Sequence, residues 1–321
     1  MLNVFFTVDT EVWCGGWSNI DEVFADMFKR YIYGPTKYGE YGLPFQLKLL
    51  EDYGLKAVFF VEPLFSCRFG GEYLDEIIRL ITDFGQEVQL HIHPEWIDEF
   101  DSSLLEKSYS KKSCMYEFSY GEQVQIIKLG KKLIESSGGG EVTAFRAGNF
   151  GYNAKTLLAL KECGIYIDSC YNASFDIVGN REILSDGYAF DPFCFNGVWE
   201  YPMTVFRDGR KKMRHAQLGA CSYREMETLL WKALEEQREA FVILSHNFEL
   251  LNQRKDRPDR VVVRRMQKLC QFFDKNRDSF CLRGFRGLST ECAGVQRPPL
   301  QVPAWQTFLR VAEQIYRRRY H

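Results

Sequence analysis

The chain has 321 residues, 45% of them hydrophobic, and a formal net charge of −2. No basic stripe runs through it, which argues against nucleic acid as a partner, and no apolar run is long enough to span a bilayer. Its ten cysteines form no C-x-x-C pair, so zinc-ribbon and thioredoxin-like readings fail. The opening MLNVFFTVD lacks the charged start of a signal peptide, and a cytoplasmic protein with reduced thiols is expected.

Short apolar runs alternate with helix-like stretches along the chain, the pattern of a parallel sheet built from βα units. Strands are expected at NVFFTVD (3–9), KAVFFV (56–61), EVQLHIH (87–93), EVTAFR (141–146), GIYID (164–168), GVWEYP (197–202), FVILSH (241–246) and, more weakly, FCLRGF (280–285). Leu47, Leu50 and Tyr53 lead at helical spacing to Gly54, and Tyr73, Ile77, Leu80, Ile81 and Phe84 lead to Gly85. Both glycines suit helix ends. Further helices are expected over 120–136, 153–162, 223–238 and 258–274. Residues 10–42, 94–119 and 169–196 read as long loops rich in aromatics, and QRPPLQVP (296–303) as a stiff linker to a last helix.

Titratable groups collect where the expected strands end. The first strand ends in Asp9, with Glu11 two residues on; the third ends in His91 and His93; the fourth in Arg146; the fifth in Asp168; the seventh in His246. In parallel β/α folds active sites form at these C-terminal strand ends. Three of the five histidines fall in this set, while His215 falls outside it. Side chains at i and i+2 of a strand share a face, so His91 and His93 can reach one metal ion, and a carboxylate of the first strand is the natural third ligand. Asp9 and Glu11 also share a face, so one can bind metal while the other serves as base. Arg146 can supply the positive charge such a pair needs. His246 can protonate a leaving amine.

These residues resemble the motifs of the polysaccharide deacetylases of carbohydrate esterase family four. FTVDTE is similar to the family's first motif, QLHIHP to its second, FRAGNFG to its third, GIYIDSCYN with Asp168 to its fourth and VILSHN to its fifth. KAVFFVEP and WEYP (199–202) resemble the branch found in cell-surface polysaccharide biosynthesis. The resemblance runs from residue 3 to about residue 285. Two departures stand out: the first motif carries Asp9-Thr10-Glu11 where the family has an Asp-Asp pair, and the histidines lie two apart rather than four.

The resemblance implies a deformed parallel β/α barrel of about seven strands over residues 1–295, with long loops at the C-terminal strand ends. Residues 296–321 would form a linker and an amphipathic helix. It implies hydrolysis of an N-acetyl group on a saccharide, with Asp9 as base, His246 as acid, and Arg146 orienting Asp9. Glu11, His91 and His93 would hold a divalent metal, zinc being the first choice. Glu11 takes the ligand role because Thr10 stands at the family's ligand position. Trp13, Trp17, Trp96 and Asp168 are expected to line the substrate, with Asp168 either setting the tautomer of His246 or supporting Arg146. Two rival readings are hydrolysis of another C–N bond, in a small amide or cyclic ureide, and a catalytically silent carbohydrate-binding barrel.

In the last helix Trp305, Phe308, Leu309, Ala312, Ile315 and Tyr316 share one face, with Arg310, Arg317, Arg318 and Arg319 beside or beyond it. That face is expected to pack on the body of the protein. Its alternative is a peripheral contact of residues 304–320 with an anionic membrane surface.

Overall fold

A computed structural model describes residues 1–100, 104–105, 110–184, 187–288 and 295–320, the last three of these by backbone alone. The chain is mixed α/β. Its parallel strands are β1 (Leu2–Thr10), β2 (Val58–Val61), β3 (Glu87–Ile92), β4 (Ala144–Ala147), β5 (Ile167–Asp168), β6 (Val198–Glu200), β7 (Ala240–His246) and β8 (Phe280–Leu282). They are eight, one more than the resemblance implies. The main helices are α1 (Ile20–Phe28), α2 (Leu43–Asp52), α3 (Gly71–Asp83), α4 (Tyr120–Ser136), α5 (Ala154–Glu162), α6 (Tyr223–Glu235), α7 (Arg260–Lys275) and α8 (Ala304–Tyr320). None of the described helices is long and apolar enough to cross a membrane.

The chain divides into two compact units. The first comprises residues 1–57, 204–283 and 299–321. Here β1 is paired in parallel with β7, from Asn3↔Ala240 to Asp9↔His246, and with β8. Phe5, Val8, Phe241 and Ile243 are buried, as the continuous apolar runs of a covered parallel strand require. On α7, Val262, Met266, Leu269, Cys270 and Phe273 follow the helical period inward, and Asp259 caps its start by accepting from the Val261 and Val262 amides.

Two segments of this unit depart from the sequence reading. The expected loop 10–42 contains α1, which buries Ile20, Phe24 and Phe28 at i, i+4 and i+8. The expected linker contributes a strand, because Leu300–Gln301 pairs with Val205–Arg207, itself hairpinned to Met213–His215. The strand pairings are only two or three residues long, and their apolar patterns are too brief to declare themselves.

The apolar face of α8 does not pack on the body. Gln306, Thr307 and Arg310 turn inward instead, while Trp305, Phe308, Leu309, Ile315 and Tyr316 face out. The side chains of Arg318 and Arg319 lie outside the described residues.

The second unit comprises residues 58–203 and 284–298. Its parallel strands run in the order β2, β3, β4, β5, β6, with Phe193–Phe195 added antiparallel to β6. The register sets His91 beside Arg146, Phe145 beside Asp168, and Asp168 beside Glu200. Ser119 caps α4 and Asn153 caps α5, each in a reciprocal bond with the residue three positions on.

Candidate functional site

In the first unit the register places Asp9 directly beside His246 at adjoining strand ends. Asn247 stitches the turn beyond them. Its amide donates to the Asp9 carbonyl at 3.1 Å, its Oδ1 accepts from the Glu11 amide at 3.2 Å, and its Nδ2 donates to the Tyr31 carbonyl at 2.8 Å. Gln46 from α2 donates to the His246 and Asn247 carbonyls at 3.0 and 2.8 Å. The two carboxylates are therefore buried on a strand end fixed by backbone bonds, with Asp9 5% and Glu11 7% exposed.

His246 donates from Nδ1 to Glu249 at 2.8 Å. Burial opposes the imidazolium. The hydrogen bond and charge of Glu249 outweigh it, with help from Glu11 and Asp9, and push the pKa up to about 9. Burial acts to raise the Glu249 pKa in turn, but its bond to His246 and the neighbouring charge hold it low. Gln217 donates to Glu249 at 3.2 Å and bonds His215 at 3.1 Å through its Oε1. Four side chains thus run His215, Gln217, Glu249, His246. Glu249 holds the place on Nδ1 that the sequence offered, among two roles, to Asp168.

In the second unit His91 and His93 leave β3 together, with ring centroids 4.8 Å apart and planes at 84°. The Nδ1 of His91 lies 2.8 Å from the Arg146 carbonyl. A carbonyl only accepts, so Nδ1 carries the proton and Nε2 is the lone-pair nitrogen, the form a metal ligand needs. The Nδ1 of His93 lies 3.4 Å from Glu95, whose other oxygen accepts from Asn149 at 3.4 Å. Gly148 of the FRAGNFG motif makes room for that ring: a Cβ there would stand 2.4 Å from His93 Nδ1. Any side chain at 148 would push the ring aside.

Arg146 is fully buried, donates to the Ser169 carbonyl and hydroxyl at 3.1 Å each, and stacks 4.3 Å over Phe60. Asp168 and Glu200 form a buried carboxyl pair beside it. Burial and the charge of Asp168 raise the Glu200 pKa well above the ordinary range. Asp168 also accepts from the Cys170 amide at 3.1 Å.

The four substrate-lining expectations meet different fates. Trp13 and Trp17 are half-exposed and pack edge to face at 6.1 Å. Trp96 is 1% exposed, wedged against Phe65 and Phe69, and belongs to the core. Asp168 is fully buried and accepts from the Cys170 amide and thiol, which leaves it no surface to offer a substrate. Glu249, Glu95, Asn247 and Gln46 were not read from the sequence. An acid three residues after His246 and another two after His93 were the available signals.

No family model matches the sequence, and no curated protein matches it. Solved structures do. A candidate polysaccharide deacetylase from Mycobacterium smegmatis aligns over 93% of this chain and 95% of its own, at 18% identity and a TM-score of 0.54. The two share a fold. A 4-alpha-glucanotransferase from Thermococcus litoralis aligns over 98% of this chain at 10% identity and a TM-score of 0.55, and this chain spans 46% of it. A family 4 carbohydrate esterase from Streptomyces lividans aligns over 92% of this chain and 97% of its own at 14% identity, with a TM-score of 0.43. At these identities the likeness speaks for the fold and not for the chemistry.

Proposed function

We propose that the chain is a metal-dependent hydrolase that removes N-acetyl groups from a saccharide. The observation that carries this reading is the register pair Asp9↔His246, a carboxylate beside an imidazole whose pKa stands at about 9. A base and a charged acid on adjoining strands are what amide hydrolysis needs, since water must lose a proton and the amine must gain one. The fold shared with a protein named as a candidate polysaccharide deacetylase supports the same reading.

Glu11, His91 and His93 would hold the metal. All three are buried, and their donors, one carboxylate and two imidazoles, suit a divalent ion such as zinc. His91 already has the tautomer of a ligand. An ion held there would supply the charge that polarises an acetyl carbonyl and acidifies a water. Asp9 accepts the proton of that water. His246, anchored by Glu249, gives its Nε2 proton to the departing nitrogen, so water and amide become acetate and a free amine. Arg146 orients Asp9, and Trp13 and Trp17 stack on sugar rings. The biosynthetic branch suggested by KAVFFVEP and WEYP points to a cytoplasmic saccharide precursor as substrate.

The test is acetate release from N-acetylchitooligosaccharides by the zinc-loaded chain, abolished by chelation and restored by zinc. Ammonia or an amine released from a small amide or ureide, with no acetate from any N-acetyl sugar, would favour the other C–N hydrolase. A chain that takes up no stoichiometric metal and gains no thermal stability from it would be the silent carbohydrate-binding form, which the altered first two motifs favour.

A further inference from the structure

Helix α8 is amphipathic and mounted the wrong way round for a helix that closes a core. Its polar face is the one that docks. Arg310 bonds Asp208 and Glu225 at 3.3 and 3.1 Å, Gln306 bonds Thr228 at 2.8 Å, and Thr307 accepts from the Gly209 amide at 2.9 Å. Glu313 pairs with Arg265, and Arg317 pairs with Asp259 at 2.7 Å. Five inward polar side chains thus have partners in the same unit, which fixes the helix in this orientation. The opposite face carries Trp305, Phe308, Leu309, Ile315 and Tyr316, with Phe308 63% and Ile315 62% exposed. Exposed apolar faces of this kind are rare on monomers and mark interaction surfaces.

The surroundings of that face say what covers it. Tyr316 lines a cavity of about 450 Å³ whose wall carries Arg257, Arg260, Arg264, Arg265 and Lys268 against a single carboxylate, Glu313. Arg265 is spent on Glu313 and on the Leu218 and Gly219 carbonyls. Arg260, Arg264 and Lys268 are exposed on successive turns of α7. At the other end of the face the Arg224 guanidinium lies 5.8 Å over Trp305. An apolar stripe ended by Trp and Tyr and edged by cations matches an anionic bilayer, whose interface takes aromatic rings and whose headgroups take Lys and Arg. A second copy of the chain suits it less, because a two-fold contact through this face would bring two basic cavities together.

We infer that the outward face of α8, with the basic wall of α7 beside it, docks the protein peripherally on an anionic lipid surface. The docking is independent of the hydrolase reading and can fail without it. The test is co-sedimentation of the full chain with phosphatidylcholine vesicles that either contain or lack phosphatidylglycerol. The wild type is expected to pellet with the anionic vesicles, not the neutral ones, and to release with added salt. F308S/I315S changes two exposed residues, so its thermal melt should match wild type while vesicle binding falls roughly tenfold or more. R260A/R264A should weaken binding to anionic vesicles as well. A wild type that ignores anionic vesicles, or an F308S/I315S chain that pellets as wild type does, overturns the proposal. A dimer in sedimentation velocity that F308S/I315S converts to monomer, with no vesicle binding, would assign the face to a second copy instead.

Discussion

His91 at the end of β3 and His246 at the end of β7 are chemically identical side chains in opposite settings. His91 donates a hydrogen bond from Nδ1 to a backbone carbonyl, which carries no compensating charge. His246 donates its Nδ1 hydrogen bond to Glu249, a carboxylate that stabilises the imidazolium and lifts its pKa to about 9. The partner on Nδ1 therefore separates His91 from His246, while His93 has the Glu95 carboxylate 3.4 Å from its own Nδ1. Each setting is itself built by neighbours: β4 supplies the carbonyl through its register with β3, and Gln217 aims Glu249.

The largest effects should come from the ligand side. His93→Ala is expected to remove both metal, read by elemental analysis, and all measurable acetate release. A variant that kept a full metal complement would break the division at once. On the acid side, His246→Ala should retain its metal and lose roughly 10²–10⁴-fold in turnover, the usual worth of a positioned general acid. Wild-type turnover in that variant would exclude His246 as the donor.

A finer probe is Glu249→Gln. With Glu249 present the folded-state pKa of His246 lies above its ordinary 6.5, so the pair adds stability that is complete below about pH 6.5 and lost as pH rises through about 9. The Tm gap between wild type and Glu249→Gln should therefore narrow across that window. The alkaline limb of the rate profile should also move down from about 9 toward 6.5 in the variant. A limb that stays in place would detach Glu249 from the proton donor. Smallest of all, His215→Ala only loosens Gln217, and should move the limb by less than about half a pH unit, measured in the same profile.

Much of this was legible in the sequence because it rests on strong local patterns. The eight strand runs, the helices led to by Gly54 and Gly85, and the strand-end positions of Asp9, His91, Arg146 and His246 follow from apolar runs and the period of two. Gly54 and Gly85 do adopt positive φ, at 57° and 62°. What stayed hidden depends on contacts far apart in sequence. Trp96 reads as a loop aromatic until Phe65 and Phe69 close around it. The orientation of α8 could not be read from its own amphipathic pattern, because Asp208, Glu225 and Asp259, three partners remote in sequence, draw the polar face inward. The spacing of Ile20, Phe24 and Phe28 did carry a helical signal, but the glycines and tryptophans before it read as loop.

The division of roles between Asp9 on β1 and Glu11 just beyond it gives the proton to one and the metal to the other. Metal content and acetate release, measured together on Asp9→Asn and Glu11→Gln, test it most directly. Asp9→Asn is expected to hold about one zinc per chain, as wild type would, and to release no acetate, while Glu11→Gln should lose both zinc and acetate release. Zinc retained in Glu11→Gln and lost in Asp9→Asn would contradict it.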